Sequence, residues 1–226
     1  MSWSRLYALV EGQTERKFAE TVLHPHLMQF EVELRAILIT TNRKLGNRGG
    51  IMQYAHVKQD IERHIRQDRH PEAYFTTMLD FYALPHDFPG WQTPRNQRSA
   101  MERVTIIETA LRNDIGTHHF IPYIQLHEFE ALLYCDLSQL AKRISNSKQS
   151  LVTLAREVVD IPPEEIDEGQ TTAPSKRILR HVPLYEKQKV RVGSATAAAI
   201  GLPILRVGCP HFDQWVTQLE QLQATG

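Results

Sequence analysis

Only two cysteines, Cys135 and Cys209, occur in 226 residues. Two thiols exclude a disulfide framework and a four-thiolate zinc site, and they suit a reduced, cytoplasmic setting. Long apolar runs are lacking as well. No stretch approaches the roughly 20 apolar residues of a membrane span. The opening Met1-Ser-Trp-Ser-Arg has no signal-peptide pattern, so no membrane partner is expected. There is no excess charge of either sign, with Lys and Arg at 26 against Asp and Glu at 26. Bulk charge therefore does not draw the chain to nucleic acid, although a locally basic groove can coexist with zero net charge. Basic residues do recur over 43–48, 95–103 and 176–191. Residues 45–50, Leu-Gly-Asn-Arg-Gly-Gly, are glycine-rich but lack the closing Gly-Lys-Ser/Thr of a phosphate-binding loop, which excludes that reading. Internal repeats and low-complexity tracts are also missing.

A hydrophobic share of 42% and a charged share of 23% belong to an ordinary globular protein. The length fits one domain, or a core domain with a helical appendage. Residues 5–10 form a continuous apolar run of strand length, followed at once by Glu11-Gly12 and a helical pattern over 14–28. Pro25 predicts a kink or early stop near 22–24 in that helix. Strands are expected over 33–40, over 73–79 ending in Asp80, and over 119–126, the last interrupted by Pro122. Helices are expected over 52–66 and 97–111, with a proline-rich loop over 81–95 between them and the strand end at Asp80.

Alternating strands and helices predict an α/β fold with a mainly parallel four-stranded sheet flanked by helices. From Ser138 onward the pattern is helical. Division at 1–137 and 138–226 follows, with 169–174 as an internal linker and a last helix over 210–222 presenting Phe212, Trp215, Val216 and Leu219 inward.

Three of the four strand ends carry carboxylates: Glu11, Asp80 and, just beyond the fourth, Glu128. Parallel strands deliver their carboxyl ends to one edge, where ligands bind in open α/β sheets. Glu15 follows Glu11 by one helical turn and can face the same point. Carboxylates without histidine or thiol partners suit a hard cation, Mg2+ or Mn2+. Such a cation neutralises the cluster, polarises a phosphoryl oxygen and generates hydroxide from water.

Three stretches carry a family resemblance: Val10-Glu-Gly-Gln-Thr-Glu15, Leu79-Asp-Phe-Tyr-Ala-Leu-Pro with Asp87-Phe-Pro-Gly90, and His127-Glu-Phe-Glu-Ala-Leu-Leu133. Together they resemble the bacterial domain-of-unknown-function family 4276. That family is similar to Toprim domains, the catalytic fold of topoisomerases, primases and the overcoming-lysogenization-defect (OLD) nucleases. The resemblance implies a Rossmann-like sheet and a magnesium-dependent site for phosphodiester hydrolysis. More loosely, it implies anti-phage defence alongside an ABC- or SMC-type ATPase.

By the resemblance, Glu11 matches the glutamate after the first Toprim strand and Glu15 the second acid of Glu-Gly-x-x-Glu. Asp80 matches the first aspartate of Asp-x-Asp, whose second carboxylate is replaced here by Tyr82. Glu128 or Glu130 is a candidate replacement. Because residues two apart do not share a face of a regular helix, one of the two is expected to be a ligand. Asp87 is a further candidate on the overhanging loop. OLD-type sites use a late lysine, which points to Lys176, beside Arg177, with Lys187 and Lys189 competing. His127 is placed to orient a ligand acid, and Tyr82 and Trp91 to stack on bases.

The function expected is a divalent-metal-dependent nuclease acting on DNA or RNA. The alternatives are a non-catalytic, Toprim-like partner-binding subunit, for which the lost aspartate speaks, and a nucleotide phosphohydrolase. An oligomer is compatible with the sequence.

Overall fold

The computed structural model describes residues 3–39, 53–92, 99–166, 169 and 171–222. The basic stretch 43–48 and Arg95 lie outside them. Strand β1 (Ser4–Val10) leads into helix α1 (Gln13–Phe18), a π-helical turn (Ala19–Leu23) and helix α2 (His24–Leu27). Pro25 accounts for the irregular middle. It has no N–H to donate back to Thr21, so the preceding turn widens and the His24 N–H reaches Ala19 O instead. Strand β2 (Val32–Leu38), helix α3 (Tyr54–Gln67), strand β3 (Ala73–Asp80) and helix α4 (Ala100–Ile115) follow. Ser99 and Glu102 close a reciprocal capping box at the start of α4. Asp87 accepts the Tyr54 N–H at 3.0 Å and so serves the start of α3.

The expected fourth strand is split by Pro122 into β4 (Phe120–Ile121) and β5 (Ile124–Gln125), both paired to β3. Threonines of β3 bridge the gap. Thr76 Oγ1 donates to Ile121 O at 2.6 Å, and Thr77 Oγ1 donates to Tyr123 O and accepts the Tyr123 N–H, each at 3.0 Å. The sheet is parallel throughout, in the order β2-β1-β3-β4 with β5 also on β3. An α/β architecture with a parallel sheet flanked by helices is thus what the chain adopts.

After the short 3-10 helix Phe129–Cys135 the chain is helical: α5 (Leu137–Ala141), α6 (Lys148–Glu157), α7 (Pro174–His181), α8 (Lys189–Ile200), α9 (Leu202–Gly208) and α10 (Pro210–Glu220). Alternation along β1 feeds two cores. Leu6, Ala8 and Val10 join α1, α2 and the later helices, down to Phe212, Trp215, Val216 and Leu219 of α10. Leu9, with Phe75 and Leu79 of β3, joins α3 and α4 on the other face. Helices beyond Ser138 therefore share a core with the sheet. Among the described residues no single helix is long and apolar enough to cross a membrane.

From β1 the chain moves outward to β2, then crosses to place β3 on the opposite side of β1. Helices after β1 join one core; those after β2 and β3 join the other. The crevice this leaves lies at the carboxyl ends of β1 and β3.

Candidate metal centre at the carboxyl edge of the sheet

Glu11 and Asp80 stand side by side at this crevice. Val10 pairs with Met78, and the Asp80 N–H donates to Glu11 Oε2 at 3.3 Å. Asp80 Oδ1 accepts the Phe129 N–H at 2.9 Å, which docks the Glu128–Glu130 segment against β3. Glu15 folds back from α1 toward the same place. A Cβ on Gly12 would come within 2.7 Å of Glu15 Oε2, so the glycine keeps room for that carboxylate. Glu15 and Glu130 are buried, as is Glu128.

These acids act on one another. Burial, then the neighbouring Glu15, pushes the Glu11 carboxyl up to about 7. Asp80 is raised well above the usual carboxylate range by burial, then by Glu15, Glu11 and Glu130. Burial also raises Glu15, partly offset by backbone N–H groups, with Glu130 adding to the rise. Glu130 is lifted by burial and by Glu128, against the pull of Lys189. Among the described residues, the cation recurring beside these acids is Lys189, whose Nζ lies 3.1 Å from Glu130 Oε1. Burial alone would lower the Lys189 ammonium; Glu130, Asp80 and Glu128 outweigh it and hold the ammonium above its ordinary value. Among the described residues, one ammonium thus stands beside five carboxyls.

Family membership rests on most of the chain. Residues 10–220 match the model of a family described as a domain of unknown function, DUF4276. The chain belongs to that family. Among solved structures, this DUF4276 chain is similar to the C-terminal region of the Xanthomonas campestris pv. campestris OLD protein. The two share 14% identity at a TM-score of 0.36, over 96% of this chain and 98% of that chain. No curated protein matches it.

Placement of the remaining candidates in the DUF4276 chain is uneven. Glu128 and Glu130 are both brought to the site, and the helix-face rule does not apply to them. Glu128 is extended, and the 3-10 helix begins only at Phe129. Their roles differ. Glu128 spends both oxygens on Ser175, accepting its N–H at 2.8 Å and its Oγ–H at 3.0 Å, and so ties down the start of α7. Glu130 Oε1 accepts from Lys189 and from the Tyr185 hydroxyl at 2.9 Å, while its buried Oε2 has no hydrogen-bond partner among the described residues.

Lys176 is exposed at the start of α7, and Lys187 is exposed too. Lys189 is the lysine brought among the acids. Arg177 donates from Nε to Thr172 O at 2.7 Å. His127, at φ +62°, donates from Nε2 to Glu164 O at 3.0 Å, and its carbonyl accepts the Tyr82 N–H. The Tyr82 ring is exposed beside Asp80. Trp91 stacks on His86 with centroids 5.1 Å apart.

Sequence reasoning missed Tyr185, Ser175 and Gly193. A Cβ at Gly193 would meet Tyr185 Oη at 3.0 Å and Thr14 Cγ2 at 3.3 Å, so the glycine lets α8 lie close against α1. The available signal was a glycine inside the alanine-rich helix just after Lys189. Tyr185 and Ser175 carry no local signal.

The donor set fits a hard cation. Glu11 and Asp80 each commit one oxygen to a backbone N–H, and Glu130 Oε2 is buried with no hydrogen-bond partner among the described residues. As the side chains stand, no three acids, histidines or cysteines among the described residues are gathered closely enough to hold an ion.

Proposed function

We propose that this chain is a divalent-metal-dependent nuclease. One observation carries the reading: Glu11, Glu15 and Asp80 crowd the crevice between β1 and β3 with pKa values raised by burial and then by neighbouring carboxyls, and among the described residues Lys189 is the cation beside them. Carboxylates held this way lose their repulsion when a cation replaces the missing positive charge.

Glu11 and Asp80, with Glu15 or Glu130 Oε2, would hold Mg2+ or Mn2+. Bound there, the ion supplies polarisation of a phosphoryl oxygen and a water acidic enough to attack phosphorus. The chain's own residues do the rest. Lys189, held by Glu130, whose Oε1 also accepts the Tyr185 hydroxyl, offsets charge on a phosphate entering the crevice. Phe129 N–H and Asp80 N–H fix the two strand-end carboxylates. Exposed Tyr82 offers a face on which a base stacks. The nucleic acid is DNA or RNA; an ATPase partner and a role in anti-phage defence belong to the same reading through the family resemblance.

A scaffold without catalysis is favoured by a single observation: Tyr82 stands where Asp-x-Asp has its second acid. Cleavage of plasmid DNA and bulk tRNA with Mg2+ or Mn2+ separates the two. Activity lost in Glu11→Ala and Asp80→Ala variants that remain folded is the expected result. Activity surviving both substitutions overturns the assignment of the site, and an inactive wild type that also fails to bind Mn2+ supports the scaffold.

A further inference from the structure

Away from the acidic crevice, the two cysteines meet. Cys135 Sγ and Cys209 Sγ lie 3.6 Å apart although the residues are 74 positions apart in the chain. Cys135 closes the 3-10 helix that carries Glu130, and Cys209 sits at the joint between α9 and α10. Cys209 is fully buried, whereas Cys135 is half-buried. Cys135 also lines an open, largely apolar groove of about 1070 Å³, with Val152, Val159, Ile204 and Val207 on its walls. The backbone makes room for the pair. A Cβ on Gly208 would stand 2.7 Å from Cys135 Sγ, so a larger residue there would push the sulfur from its place.

We propose that Cys135 and Cys209 are a redox modification site, a dithiol that a small peroxide entering from the groove converts to an intramolecular disulfide. Cys135 is the sulfur the oxidant reaches first. Its thiolate attacks one peroxide oxygen, the O–O bond breaks, and a Cys135 sulfenic acid and one water result. Cys209 sulfur then attacks Cys135 sulfur. The S–S bond forms, the S–O bond breaks, and the hydroxide leaves with the Cys209 proton as a second water. Two thiols and one peroxide give one disulfide and two waters, the two electrons passing to the peroxide. The hydrogen bond to Cys135 and burial both raise the Cys209 thiol well above its ordinary value, which keeps it protonated until a sulfenic acid stands beside it. Bond formation needs the sulfurs to close from 3.6 Å to about 2.05 Å. The cross-link ties the segment carrying Glu128 and Glu130 to the helices behind it, and it stands whether or not the acidic crevice is a nuclease.

The test treats the full chain, natively folded, with hydrogen peroxide and maps its peptides without reduction. Expected are a linked Cys135–Cys209 peptide pair, simultaneous loss of both free thiols, and reversal by dithiothreitol. The thermal midpoint should rise on the order of 10 °C, because the bond closes a long loop. In Cys209→Ser, oxidation should stop at a Cys135 sulfenic acid that dimedone traps. The proposal is overturned if wild-type Cys135 goes on to sulfinic or sulfonic acid while Cys209 stays free. It is equally overturned if only intermolecular dimers form, or if both thiols survive peroxide.

Discussion

Replacing Glu11 with glutamine should make the metal-free protein more stable at pH 8, an unusual result for a residue at a proposed active site. Glu11 is raised from 4.5 to about 7 by burial and by Glu15. A rise of about 2.5 units at roughly 1.36 kcal/mol each corresponds to about 3 kcal/mol of native-state penalty when the group is ionised. The glutamine amide is itself a polar group that must be buried, so the expected gain is about 1–3 kcal/mol. For a chain of this size that is roughly 3–10 °C in thermal midpoint. Glutamine keeps a carbonyl oxygen to accept the Asp80 N–H, so the cross-strand contact is retained.

The pH dependence has a definite sign. Below pH 4.5 the carboxyl is protonated in folded and unfolded chains alike, and the substitution changes little. Between 4.5 and about 7 the folded chain holds a proton the unfolded chain has lost, so wild-type stability falls as pH rises. Above 7 the whole penalty is present. Thermal unfolding in EDTA from pH 4.5 to 8.5 should show the two proteins diverging across that window. Parallel curves, or a variant less stable at pH 8, would refute the account of Glu11 as a carboxylate held against its neighbours.

Thr77→Val keeps the shape of the side chain but strands the N–H and C=O of Tyr123, and should cost about 2–3 kcal/mol in urea unfolding. Gly193→Val drives a side chain into Tyr185 and Thr14. It should cost about 1–3 kcal/mol by the same measurement and weaken cation binding by moving Lys189. His211 is desolvated, which lowers it, but its bond to Glu108 and the charge of Glu164 outweigh this and leave it raised above 6.5. Its contribution to stability is therefore complete below pH 6.5 and lost as pH rises through the folded value. In His211→Gln, unfolding curves should lose that part of their slope.

Local chemistry made the strand ends legible. Glu11, Asp80 and Glu128 could be placed because a parallel sheet delivers strand ends to one edge. Pro25 and Pro122 disturb their elements for the reason any proline does, a missing N–H. Partnerships across the fold were not legible. Lys176 had the better sequence context, beside Pro174 and Ser175, but α7 turns it to solvent, and α8 brings in Lys189 instead. Glu128 looked like a free acid until Ser175 met it from 47 residues away. The thiols of Cys135 and Cys209 looked isolated because nothing near either residue announces the other. In each case a residue's partner is set by helix packing in the C-terminal half, where the sequence has periodicity but no motif.

The most direct measurement is titration of Mn2+ into the metal-free protein by calorimetry at pH 7, in two buffers of different ionisation enthalpy. If Glu11, Asp80 and their neighbours form a cation site, Mn2+ binds and releases protons from the raised carboxyls, and Asp80→Asn abolishes both effects. No binding to the wild type, or binding unchanged in Asp80→Asn and Glu11→Gln, would contradict the claim that this acidic crevice is a metal centre.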